Sequence, residues 1–126
     1  MRRSDQRRAA VFTLYEREVR GGDTGEVPLE NAKPFSRELV EGVEGHRAQL
    51  DEEIAKLAHG WALERIAALE KNILRVALYE IRHRDDVPDE VAIDEAVSLA
   101  KRYCGAEAPG FVNGILAAAA RSEGLG

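Results

Sequence analysis

The chain has 126 residues, about the length of one ordinary domain: enough to bury a core without disulfide or metal support, and too few for a multidomain enzyme. Nineteen Ala, twelve Leu, sixteen Glu and fourteen Arg stand against two Thr and seven aromatic residues, a balance that favours helices over pleated sheet, so the expected fold class is all-α. The net charge of −5 argues against a nucleic-acid partner, yet residues 1–8 carry +3 and the remainder −8, a basic tip on an acidic body.

From Ser4 to Arg20 the apolar residues Val11, Leu14, Tyr15 and Val19 fall at i, i+3, i+4 and i+8, one face of a helix that Gly21 and Gly22 stop. Residues 21–33 hold three glycines if Gly25 is counted with them, and Pro28, which predicts a mobile surface connection with at most a short helical turn. Pro34 opens a segment in which Phe35, Leu39, Val43, Leu50, Ile54 and Leu57 step by fours and sevens to Gly60. Gly42 and Gly45 lie inside it at about 1 kcal/mol each, so either the helix bends there or another backbone comes close.

From Leu63 to Arg84 the pattern is apolar over more than half the circumference, as in a central buried helix. Val91-Ala92-Ile93 reads as an extended entry, with Asp94 as N-cap of a helix that runs to Cys104 and ends on Gly105 in a left-handed cap. Pro109 starts a last helix through Arg121, with Val112, Ile115, Leu116 and Ala119 facing inward. The expectation is a bundle of about six to seven helices.

Candidates for chemistry are few. The lone Cys104 excludes an intrachain disulfide and suits a reducing compartment, and its place at a helix C-terminus disfavours a thiolate, so a buried inert thiol is expected. His46, His59 and His83 lack zinc spacing, no phosphate-cradling glycine loop occurs, and no catalytic constellation emerges: no enzyme, metal or cofactor is expected. No apolar signal-peptide core follows the N-terminal arginines and no run approaches the roughly 20 apolar residues of a membrane span, so a cytoplasmic protein without a membrane partner is expected.

Arg2, Arg3, Arg7 and Arg8 stand where a helix N-terminus disfavours cations by roughly 0.3–1 kcal/mol each, and Arg3 and Arg7 form a like-charge i, i+4 pair. A phosphate would reverse these signs, making the tip an RNA or DNA backbone contact; the other reading is a frayed, solvated tail. Phe111 opens the last helix beside Gly110, which leaves room for a base, although such a residue alone reads as core. Gly114 suggests close packing or close ligand approach, and Asn113 is either a cap or a polar contact.

Taken in order, Arg7-x-x-Ala10-x-x-x-Leu14-Tyr15, Phe35-x-x-x-Leu39-Val40-x-Gly42-Val43, Leu50-Asp51-x-x-Ile54, Ile73-Leu74-Arg75-x-Ala77-x-Tyr79-Glu80, Val87-Pro88-x-x-Val91-Ala92-Ile93-x-Glu95-Ala96-Val97-x-Leu99-Ala100-Lys101 and Phe111-Val112-Asn113-Gly114-Ile115-Leu116 resemble the NusB family of bacterial transcription antitermination factors over nearly the whole chain. The resemblance implies a single NusB-like RNA-binding domain over 1–126, all-helical, in two packed subdomains of about 4–60 and 61–122. It implies binding of boxA RNA from ribosomal-RNA leader transcripts together with NusE, a small-subunit ribosomal protein, within a processive RNA polymerase complex. On that basis the RNA-binding residues are Arg2, Arg3, Arg7, Arg8 and Phe111, with Lys101 extending the surface or simply pairing with its helix C-terminus. The resemblance also implies that Tyr15 and Glu80 lie on the side facing NusE. Family members often carry an acidic residue where Arg8 stands and a basic one where Gly110 stands, so a site completed by a partner is expected rather than strong solitary binding. The competing reading is a protein-only helical dimerisation or scaffold module, and a homodimer of the free protein stays open.

Overall fold

In a computed structural model, which describes residues 2–20 and 29–122, six α-helices and one 3-10 turn account for the regular structure, with no strand among the described residues. The helices are α1 (Arg3–Val19), α2 (Pro34–Gly45), α3 (Arg47–Leu57), α4 (Ala68–His83), α5 (Asp89–Tyr103) and α6 (Ala108–Ser122), and the 3-10 turn is Leu63–Arg65. No described helix is long and apolar enough to cross a membrane. The glycine stop at 21–22 and the expected mobile connection up to Pro28 lie outside the described residues.

The centre is α4, where Ile73, Leu74, Val76, Ala77 and Leu78 are all buried, and every other helix packs against it. One apolar cluster runs from Ala10, Val11 and Leu14 through Leu39, Val43 and Ile54 to Val112 and Leu116. A polar clamp fixes three helices to each other. Arg75 of α4 donates to both Asp51 oxygens on α3 at 2.7 and 2.9 Å and to Glu18 on α1 at 2.9 Å. Burial alone would raise the Glu18 carboxyl, but hydrogen bonds from Lys71 and Asn72 and the Arg75 charge hold it below its ordinary value.

Several boundaries differ from expectation for identifiable reasons. The long segment from Pro34 breaks at His46 (φ −119°, ψ 18°), so it forms α2 and α3. What approaches Gly42 is the Tyr79 side chain rather than a backbone: a Cβ there would collide with the ring. The central helix starts at Ala68, five residues late, because Leu63–Arg65 forms a separate turn and Ile66 is extended. In α5, Pro88 rather than Asp94 occupies the N-cap, its carbonyl accepting from the Val91 and Ala92 amides at 3.0 and 3.2 Å, so Val91–Ile93 are helical. Proline's fixed φ and the acidic Asp89 and Glu90 in the first turn outweigh the extended preference of Val and Ile. Gly105 is not left-handed; α5 ends through an extended Cys104 (φ −119°, ψ 178°). Among the described residues the left-handed ones are His59 (φ 35°) and Gly60 (φ 83°), which turn the chain out of α3. Val19, expected on the apolar face of α1, is exposed, and Tyr15 is half-buried.

Candidate nucleic-acid interface

The four N-terminal arginines do not share one environment. Arg2 is the N-cap of α1 and fully out in solvent, its Nε 3.8 Å from Asp5. Arg8 reaches the same Asp5 at 3.1 Å, and Arg3 reaches Asp86 at 2.9 Å while lying 4.2 Å from the centre of the Phe35 ring. Such exposed pairs are worth about 0–1 kcal/mol, so a phosphate can displace the carboxylates at little cost. Arg7 is different: at 4% exposure it is enclosed, and its Nε and second terminal nitrogen hold Glu80 at 2.9 Å.

That pair places two of the expected contact residues inside the chain: Arg7 at 4% and Glu80 at 1% exposure offer little surface to a phosphate or a partner protein. Burial pushes the Glu80 carboxyl above its ordinary value while the Arg7 guanidinium pulls it back, and both groups are committed to joining α1 to α4. The signal was present in the sequence: Arg7 lies at i with Ala10, Val11 and Leu14 at i+3, i+4 and i+7, on the buried stripe, and Glu80 follows Ile73, Val76 and Ala77 in the same way. Tyr15 keeps a partly exposed ring, edge-on to Phe12 at 6.4 Å.

Lys101 and Phe111 sit further along. Helices α1 and α5 run side by side in the same direction, since Ser4 donates to Glu95 at 3.0 Å and Phe12 meets Tyr103 edge-on at 5.0 Å. The eight residues from Glu95 to Tyr103 rise about 12 Å, so the arginine tip and the Lys101–Phe111 region lie apart rather than at a single point. Lys101 is exposed and makes no ion pair with any described residue, and the neighbouring Arg102 lies 5.2 Å from the Tyr103 ring. Phe111 is half-buried, neither core nor free. No atom lies within 4 Å of a Cβ built on Gly110 or Gly114, so close packing does not explain Gly114 and the helix surface there is open.

Sequence reasoning passed over Trp61. It is 54% exposed and meets Phe111 edge-on, at 6.2 Å between centroids and 64° between planes, across the mouth of a cleft of about 560 Å³. Cys104, beside that cleft, is half-buried rather than buried; desolvation and the Glu70 charge push its thiol up, so it stays protonated. No group of three or more His, Cys, Asp or Glu suited to a metal ion occurs among the described residues.

The NusB family model matches residues 4–121. The transcription antitermination protein NusB of Frankia casuarinae is 52% identical over 91 residues, which cover 72% of this chain and 67% of that protein. Among solved structures, NusB of T. maritima matches with a TM-score of 0.87 at 31% identity, over 98% of this chain and 94% of that one. A chain from the crystal structure of the antitermination factors NusB and NusE in complex with dsRNA matches with a TM-score of 0.82 at 26% identity, over 95% and 96% of the two chains.

Proposed function

Since the chain belongs to the NusB family, we propose that it is a non-catalytic transcription antitermination factor of the cytoplasm, which binds boxA RNA of ribosomal-RNA leader transcripts together with NusE inside a processive RNA polymerase complex. The observation that carries this reading is the likeness, over 95% of the chain, to a structure of NusB and NusE with dsRNA. RNA contacts run from Arg2, Arg3 and Arg8 at the α1 tip along α5 to Lys101 and Phe111. Exposed cations along this face supply phosphate contacts, and the ring supplies stacking.

The acidic body has a role in this reading. It attracts a basic ribosomal protein and deters indiscriminate polyanion binding. Tyr15, on the part-exposed side of α1, is the proposed contact to NusE. Because Gly110 offers no side chain beside Phe111 and three of the tip arginines already hold carboxylates, tight RNA binding requires the partner. Fluorescence anisotropy of labelled boxA RNA, with and without NusE, tests this. Binding that strengthens at least tenfold with NusE is expected; no binding under either condition would leave a protein-only helical module.

A further inference from the structure

The cleft at the Trp61–Phe111 end is built by an unusual piece of chain. After α3 the backbone passes through two successive left-handed residues, His59 and Gly60, and the Trp61 amide donates to the Ala58 carbonyl at 3.4 Å. A non-glycine residue at positive φ is a strained choice, and here the turn delivers the one tryptophan of the chain against the first turn of α6 instead of into the core. There it remains more than half exposed. Its indole face is therefore accessible to a ligand.

The shape of the cleft narrows what fits. Trp61 and Phe111 touch by an edge at 64°, so an incoming flat ring can stack on one of them while the other borders it. Ile66, Ala67, Gly105 and Ala108 also line the cleft. Glu70 and Glu107 line the cleft, as does Arg65, whose guanidinium makes no ion pair with any described residue. Lys101 and Arg102, also without ion pairs among the described residues, stand in the last turn of α5, four and three residues before Gly105. The free cations of this face therefore gather where the aromatic pair is, while those at the α1 tip are already paired.

We infer that Trp61 and Phe111 are the two walls of a slot for one unpaired nucleobase of the bound RNA, which makes Trp61 an RNA-binding residue; this rests on the RNA-binding reading above. A base offers a flat π face to the indole and N–H groups at its edge that the Glu70 and Glu107 carboxylates accept. Arg65 and Lys101 then meet the phosphates on either side of it. An apolar side chain from a protein partner fits less well, because it would cover both carboxylates without giving them a donor.

The single tryptophan makes the test direct. Chain labelled with 5-fluorotryptophan gives one 19F resonance, from Trp61, whatever tryptophans NusE brings. It is titrated with NusE and then with a boxA-type RNA of about twelve nucleotides, while anisotropy of the fluorescein-labelled RNA reports binding independently. The slot predicts a 19F shift that saturates with the anisotropy. Trp61→Ala should weaken RNA binding about tenfold and Trp61→Phe should restore it to within about threefold, with unchanged circular dichroism. One abasic position in the RNA should reproduce the loss in the parent chain and add nothing in Trp61→Ala. If the RNA binds but neither the 19F signal nor the Trp61→Ala affinity changes, the slot is refuted and the RNA-binding reading survives. If NusE alone shifts the resonance and RNA adds nothing, the cleft is a protein-docking surface and the slot is again refuted. No RNA binding at all overturns both.

Discussion

Glu80→Gln should destabilise the fold by about 3–5 kcal/mol without touching any surface, because it strands the Arg7 guanidinium in the interior. The magnitude follows from the burial: Arg7 is 4% and Glu80 1% exposed, and their nitrogen–oxygen contacts are 2.9 Å. Glu95, 3.8 Å from Arg7 and partly solvated, is the only other carboxylate within 4 Å among the described residues, which places the loss toward the lower end of that range. For a domain of this length, about 4 °C of melting temperature accompanies each kcal/mol, so a drop of about 12–20 °C is expected. Urea unfolding followed by circular dichroism gives the free energy, with an unchanged slope if the denatured state is unaffected. The double variant Arg7→Met, Glu80→Leu removes both charges and should recover most of the loss. A Glu80→Gln penalty under 1 kcal/mol, or a double variant no better than the single, would mean that the buried pair does not hold α1 to α4. Any loss of NusE affinity in a Glu80 variant should then track unfolding.

Other consequences can be measured separately. Gly42→Ala should cost about 1–3 kcal/mol in urea unfolding, since its Cβ meets the Tyr79 ring, whereas Gly114→Ala, with open space around it, should gain about 0.5–1 kcal/mol. His83 stacks on His46 at 4.0 Å, and desolvation, His46 and Arg82 hold its pKa below the ordinary 6.5. The unfolded chain thus binds the proton more readily, so stability is full above pH 6.5 and falls as the pH drops below it; His83→Gln should flatten the melting temperature between pH 7.5 and 5.5. Asp86 is held well below the usual carboxylate range by hydrogen bonds from Arg84 and Arg3, so its carboxyl carbon should show no titration in NMR down to pH 3, and Arg84→Ala should bring the titration back toward 3.8. Lys101→Ala should lower the salt-dependence slope of RNA binding by about 0.7, and an unchanged slope would remove Lys101 from the phosphate path.

Helical periodicity was enough to locate α1, α4 and α6 and most of the core, because an apolar stripe of period 3.6 is a local signal. It failed where tertiary contacts decide. Nothing adjacent in sequence reveals that Tyr79 fills the space over Gly42, or that His46 divides α2 from α3. Val91-Ala92-Ile93 pointed to extended chain, and the Pro88 cap overrode it. Charge counting treated the tip arginines as equivalent, whereas their positions on the α1 helical wheel separate Arg7 from Arg2, Arg3 and Arg8. Trp61 escaped notice because its neighbour in space, Phe111, is fifty residues away and only the His59–Gly60 turn brings them together.

The proposed RNA path runs from the α1 tip along α5 to the Trp61–Phe111 cleft and leaves α3 untouched. Ultraviolet crosslinking of 4-thiouridine-substituted boxA RNA to the NusE-bound chain, read out peptide by peptide in a mass spectrometer, tests this most directly. Crosslinks are expected within residues 2–8, 61–70 and 101–111, with none in α3. Crosslinks concentrated on α3, with these three segments silent, would overturn this path.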